Sequence, residues 1–142
     1  MKYVDSNVFI YPLIYDATKV AEARISKSVL SHIMKGELKA CTSCLTWDEI
    51  VYIVSKVSGL ADARKAGANF LLFPNLKILL IDSEIVGYAQ GLIEKYNLKP
   101  RDAIHAASAI KNQVKEIVSN DSDFDDMEEL KRVHLDDVQL GL

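Results

Sequence analysis

Short apolar runs alternate along this chain with longer segments of helical periodicity, and this alternation limits its folds more than any other feature. Tyr3-Val4 begins a strand that ends at Asp5. From Ala17 to Lys35, Val20, Ala23, Leu30 and Met34 recur at approximately helical spacing, and Gly36 ends the run. Leu38 to Cys44 predicts a second strand. Thr46 then opens a helix whose Ile50, Ile53, Val54 and Val57 form one apolar face, closed by Gly59. Asp62 to Phe73 predicts a further helix stopped at Pro74-Asn75, and Lys77 to Ile81 a buried-type strand. Ser83 reads as the N-cap of a helix bearing Ile85, Ala89, Leu92, Ile93 and Tyr96, and Pro100 as the first turn of an alanine-rich helix to Lys111. Glu116 to Ser119 gives a fourth strand and Val133 to Leu135 a short fifth, separated by an acidic loop from Asp121 to Glu129. Strands and helices in alternation make an α/β fold with a largely parallel sheet covered on both faces.

The length of 142 residues, without repeats or linkers, fits one domain spanning 1–142, and an apolar content of 49% is enough for its core. The formal charge of −3 excludes a globally basic nucleic-acid binder. A polyanionic ligand would need a local basic rim or bridging metals, and Lys99 and Arg101 flank Asp102 closely enough to form such a rim. The apolar stretch from Val8 to Tyr15 is short and broken by Pro12, so it is not read as a secretory signal. No segment approaches the ~20 apolar residues of a membrane span, and a soluble cytoplasmic protein is expected. Cys41 and Cys44 have C-x-x-C spacing, but both fall in the apparent strand, where side chains three apart face opposite ways. No second Cys pair or His cluster completes a zinc tetrad.

Against this frame, acidic signatures recur at the ends of regular segments: Val4-Asp5-Ser6-Asn7, Thr46-Trp47-Asp48-Glu49, Pro100-Arg101-Asp102-Ala103 and Ser119-Asn120-Asp121-Ser122-Asp123-Phe124. Ligands of open parallel sheets bind beyond the carboxyl ends of the strands, so Asp5 is well situated for chemistry. Carboxylates gathered there repel unless a cation neutralises them, and hard oxygen donors favour magnesium or manganese over zinc. Each position also has a plainer reading. Asp5 fits a turn, Thr46-x-x-Glu49 fits a capping box, and Asp102 fits a surface aspartate favoured by the helix dipole. His105, one turn beyond Asp102, either approaches the same site or plays a structural or solvent-exposed role. The run from Asp121 to Asp126 is not an EF-hand loop, because its sharp-turn position holds Asp126 and its closing position Arg132. Asp121 or Asp123 is expected to face the metal, with Asp125, Asp126, Glu128 and Glu129 solvated.

In this order and at these segment boundaries, the motifs resemble the PIN domain, a family of metal-dependent ribonucleases that includes the VapC toxins of prokaryotic toxin–antitoxin pairs. The resemblance rests on Asp5-Ser6-Asn7, on Ser43 to Glu49, on Arg101-Asp102-Ala103-Ile104-His105-Ala106-Ala107 and on Ser119 to Phe124. It implies a three-layer α/β/α sandwich around a five-stranded parallel sheet of order 3-2-1-4-5. It also implies that Asp5, Glu49, Asp102 and Asp121 or Asp123 are catalytic metal-site positions, supported by Ser6, Asn7 and Ser119. The expected activity is endoribonuclease cleavage with one or two Mg²⁺ or Mn²⁺ ions, ~3.5–4 Å apart if two, and with Lys99 and Arg101 contacting substrate phosphate. A small antitoxin partner and a homodimer follow from the same resemblance, with Trp47, Tyr52 and Phe70 available for an apolar contact. The alternatives are an RNA-processing nuclease without an antitoxin and a noncatalytic module whose acidic surface binds a basic peptide. A phosphatase is disfavoured, since neither a Gly-rich phosphate loop nor an activated Ser or Cys nucleophile is apparent.

Overall fold

The computed structural model describes residues 1–138. Its elements run β1 (Lys2–Val4), α1 (Ser6–Ile14), α2 (Ala21–Met34), β2 (Ala40–Ser43), α3 (Cys44–Ser58), α4 (Leu60–Leu71), β3 (Leu76–Leu79), α5 (Ser83–Tyr96), α6 (Pro100–Lys111), β4 (Glu116–Val118) and β5 (Lys131–Val133). Single 3₁₀ turns cover Ser122–Phe124 and Leu135–Asp137. All pairings are parallel and the strand order is β3-β2-β1-β4-β5, as the resemblance implied.

Period-two alternation decides which side chain enters which core. Tyr3, Cys41 and Ile117 point to one face of the sheet, where they meet Ile85, Ala89 and Leu92 of α5 and Ala103, Ala106 and Ala107 of α6. Their neighbours Val4, Ala40 and Val118 point to the other face, against Val8 and Phe9 of α1, Val29 and Ile33 of α2, Ile50 and Val54 of α3 and Phe70 of α4. The fully buried alanines of α6 let its backbone approach the sheet closely.

The local readings fail where packing outvotes a short-range signal. The stretch from Val8, for which no element was expected, lies in α1, which carries Pro12 inside it and is held by burial of Val8, Phe9 and Ile10. The helix expected from Thr46 starts at Cys44 instead, which moves Cys44 off the strand. No capping box forms: Ser43 is the N-cap without a side-chain bond, Thr46 Oγ1 lies 2.6 Å from Thr42 Oγ1, and Glu49 falls in the second turn. Asp82, not Ser83, caps α5 by accepting from the Ile85 amide at 3.0 Å. The fifth strand lies at Lys131–Val133, two residues before the expected position. The two cysteines are unpaired, Cys41 buried with its thiol pushed up to about 11 by burial and Cys44 exposed. Phe70 is unavailable for an external contact because it is 3% exposed and packs edge-on against Phe9, whereas Trp47 and Tyr52 are exposed. Among the described residues no helix is long and apolar enough to cross a membrane.

The α3–α4 contact allows a direct test of this packing. A Cβ at Gly67 would lie 2.8 Å from Val51 Cγ2 and 3.0 Å from Trp47 Nε1. Gly67→Val is therefore expected to lower unfolding free energy by about 1–3 kcal/mol, the usual cost of overpacking a close contact. Urea denaturation measures this directly, and an unchanged midpoint would contradict the contact.

Candidate metal centre

In a parallel sheet every strand delivers its carboxyl end to the same rim. Here β1 ends into Asp5, β2 into Ser43 and the start of α3, and β4 into Ser119. The strand order reverses between β1 and β4, and the Asp5 amide donates to the Val118 carbonyl across that junction at 3.1 Å. Such a switch point is where ligands of open α/β sheets are received. Helix α6 begins with Pro100 in its first turn and Asp102 immediately after Arg101, so packing its alanine face on the sheet brings Asp102 to this rim.

One carboxylate oxygen from each of Asp102, Asp121 and Asp123 lies within 4.8 Å of those of the other two. The loop that presents Asp121 and Asp123 is tied down at several points. Ser119 Oγ accepts from the Asp121 amide at 3.0 Å, and Asp121 Oδ1 accepts from the Asp123 amide at 2.9 Å. Asp125 stays exposed as expected, but it is ion-paired. It receives Arg132 through both oxygens, at 2.6 and 3.0 Å, while the same guanidinium donates to the Ser119 carbonyl at 3.2 Å. Glu129, by contrast, is half-buried and accepts from the Tyr96 hydroxyl. Asp125, Asp126 and Glu128 keep the exposed character that the whole run was expected to have, and Glu129 does not.

Burial pushes the Asp102 carboxyl up to about 7, with the negative charges of Asp121 and Asp5 adding to it and His105 opposing. Asp5 is 4% exposed, and burial raises its carboxyl above the ordinary range against the opposing influence of His105 and Ser119. Ser119 Oγ donates to Asp5 Oδ2 at 2.7 Å, and Ser6 Oγ makes a longer bond to Oδ1 at 3.4 Å. Carboxyls crowded until one resists ionisation are a group whose repulsion a cation relieves. An all-oxygen donor set of this kind has the chemistry of a hard divalent cation.

The five sequence-predicted carboxylates thus fall into two adjoining sets. Asp102, Asp121 and Asp123 form the tight group, whereas Asp5 and Glu49 are joined through His105. The imidazole Nε2 lies 2.5 Å from Glu49 Oε1 and 3.9 Å from Asp5 Oδ1. Burial alone would lower the His105 pKa, but the Glu49 bond and the charges of Asp5, Glu49 and Asp102 raise it above the ordinary histidine value. The other ring nitrogen, Nδ1, meets the Tyr3 hydroxyl at 2.6 Å, and that hydroxyl donates to Ser43 Oγ at 2.8 Å. Sequence reading did not single out Tyr3 or Ser43 as individual site groups. Their signal is only a polar atom in each of two short strands, which local patterning cannot tell from an edge residue.

A cavity of about 670 Å³ opens over the group, lined by Glu49, Lys99, Pro100, Arg101, Asp102 and Asp121. Its floor is acidic and its lip basic. Lys99 Nζ reaches to 4.0 Å from Asp123 Oδ2, and the Arg101 guanidinium stands 5.9 Å from the exposed Tyr52 ring. Asn7, by contrast, is exposed at the start of α1.

Comparison with known proteins agrees with this architecture. Ribonuclease VapC2 of Methanocaldococcus jannaschii is 28% identical over 127 residues, covering 86% of this chain and 85% of that protein. Among solved structures, the sarcin-ricin loop cleaving toxin VapC20 of Mycobacterium tuberculosis superposes with a TM-score of 0.72 at 16% identity, covering 92% of this chain and 98% of the other. VapBC2 from Rickettsia felis, solved bound to a DNA fragment from its promoter, gives a TM-score of 0.69 at 20% identity over 94% and 98% of the two chains. The model of the family described as PIN domain matches residues 2–130, nearly the whole sheet and every carboxylate discussed above, and the chain belongs to the PIN domain family.

Proposed function

We propose that this protein is a Mg²⁺- or Mn²⁺-dependent endoribonuclease acting in the cytoplasm as the toxin of a toxin–antitoxin pair. The observation that carries the reading is the convergence of Asp102, Asp121 and Asp123 beside a cavity whose lip holds Lys99 and Arg101. Acids alone would repel RNA, and bases alone would bind it without cutting. Together they fit a site that takes a phosphodiester through a divalent cation.

In this reading Asp102, Asp121 and Asp123 hold the cation together with Glu49, which lines the same cavity, and Asp5 completes the negative field behind them. Bound there, a divalent ion supplies Lewis-acid polarisation of the phosphodiester and lowers the pKa of a coordinated water. Lys99 and Arg101 contact flanking phosphates and orient the strand. Ser119 keeps Asp5 and the Asp121 loop in fixed relation, because one hydroxyl serves both. No carboxylate serves as a covalent nucleophile. Single-stranded or looped RNA is the substrate class, since exposed loops are where proteins reach RNA specifically.

The antitoxin partner is supported by the relatives, among which the Rickettsia felis, Klebsiella pneumoniae and Salmonella typhimurium structures are of toxin–antitoxin assemblies. An apolar cleft of about 140 Å³ lined by residues including Phe9, Leu13, Leu30 and Phe73 offers a surface for such a segment. Self-association through Trp47 and Tyr52 belongs to the same proposal.

The test is cleavage of a structured RNA by the purified protein. Cutting is expected with Mg²⁺ or Mn²⁺, to stop on adding EDTA, and to return when the metal is restored in excess. Cutting that survives complete chelation would defeat the metal-dependent reading.

A further inference from the structure

A hydrogen-bonded chain runs through the interior and surfaces only at Glu49. Ser43, Tyr3 and His105 are all buried, at 0%, 0% and 1% exposure. The Tyr3 and His105 rings meet edge-on with centroids 5.6 Å apart, so packing as well as hydrogen bonding sets the imidazole orientation. Tyr3 comes from β1, Ser43 ends β2 and His105 lies on α6, and the chain therefore ties three elements to the carboxylate of a fourth, α3. Burying this many polar groups is unfavourable unless each is satisfied, and a core serving stability alone is better filled by apolar side chains.

We propose that Tyr3 and His105 are positioning residues for the candidate metal centre, holding the Glu49 carboxylate toward the cavity that it lines. The inference rests on reading the acidic group as metal-holding. An ionised carboxylate only accepts, so His105 Nε2 must carry the proton whichever way the rest of the chain is polarised. The orientation of Glu49 is thus independent of the charge on the ring. The bond engages Oε1, leaving Oε2 outside it. The Glu49 side chain is long, and at 19% exposure it is not immobilised by packing alone. Hydrogen-bond partners behind a ligand fix its direction and strengthen metal binding without touching the ion.

The test is titration calorimetry of Mn²⁺ into the full chain, well below its melting temperature, for the parent, His105→Leu, His105→Gln and Tyr3→Phe. Loss of a supporting hydrogen bond of this kind typically weakens metal affinity about 10- to 100-fold, and His105→Leu is expected in that range. His105→Gln, whose side-chain amide still donates to Glu49, should recover most of the loss. Tyr3→Phe keeps the aromatic packing and should lose about 10-fold, at the lower end of the same range. It carries the test even if His105→Leu fails to fold. A purely structural role would lower melting temperatures and leave affinity for Mn²⁺ unchanged, and that result overturns the inference. Absence of Mn²⁺ binding by the parent would overturn the metal reading itself, a failure distinct from equal binding by all four proteins.

Discussion

Asp102→Asn and Asp5→Asn proteins are expected to lose metal-dependent RNA cleavage about a thousandfold or more while folding at least as stably as the parent. The two effects share one cause. Each carboxyl is pushed above its ordinary range, Asp102 to about 7, chiefly because burial penalises its charge. A neutral amide of nearly the same shape removes that penalty, and at position 5 its oxygen still accepts from Ser119 Oγ. Metal binding, in contrast, needs the charge. Lewis-acid and water-activating effects are worth several kcal/mol, and each 1.36 kcal/mol corresponds to a tenfold change in rate. Parallel measurement of single-turnover cleavage and thermal unfolding checks both halves. Variants that fold well and still cut at the parent rate would remove these residues from the site, or expose a contaminating nuclease.

In EDTA the protein is expected to melt at a higher temperature at pH 5.5 than at pH 8, and saturating Mg²⁺ or Mn²⁺ should stabilise it most at pH 8. Asp102 has its folded pKa, about 7, above the ordinary 3.8. The folded state therefore binds the extra proton across that interval, and stability falls as pH rises from about 4 through about 7. His105 acts in the same sense. Its folded pKa is raised, so its contribution is complete below the ordinary 6.5 and is lost as pH climbs through the folded value. Asp125 and Glu116 are held below their ordinary values by Arg132 and Lys2, and they weaken the fold only under more acidic conditions than this comparison uses. A cation that binds only the folded, deprotonated site adds about 2.7 kcal/mol at a hundredfold excess over Kd. Asp102→Asn should flatten the pH dependence and reduce the response to metal. Differential scanning calorimetry of both proteins at the two pH values decides it, and a parent melting curve indifferent to pH and to metal would refute the argument.

Glu49 shows why the site was only partly legible from its residues. Thr46-x-x-Glu49 matches a capping box as well as it matches a ligand position, because four consecutive residues carry no information about what lies across the sheet. The structure removes the capping box by beginning α3 at Cys44, and it presents Glu49 to His105. For a related reason helix α1, which carries Pro12, was not expected. The proline's missing amide argues against a helix locally, while Val8, Phe9 and Ile10 gain more by packing against α2 and α3. Phe70 looked available to a partner until its ring was found against Phe9.

What the amino-acid order determined by itself was periodic and short-range: the strands and all the α-helices but α1, that the sheet is parallel, and that an acid stands at the end or start of several of them. Parallel strands share one carboxyl rim, so those acids had to gather on one side of the molecule. Only the tertiary structure decided how they group, because the partners of His105 lie 102 and 56 positions away along the chain. Distances of a few ångströms between such residues come from the packing of α6 and α3 on the sheet, and no local pattern encodes them.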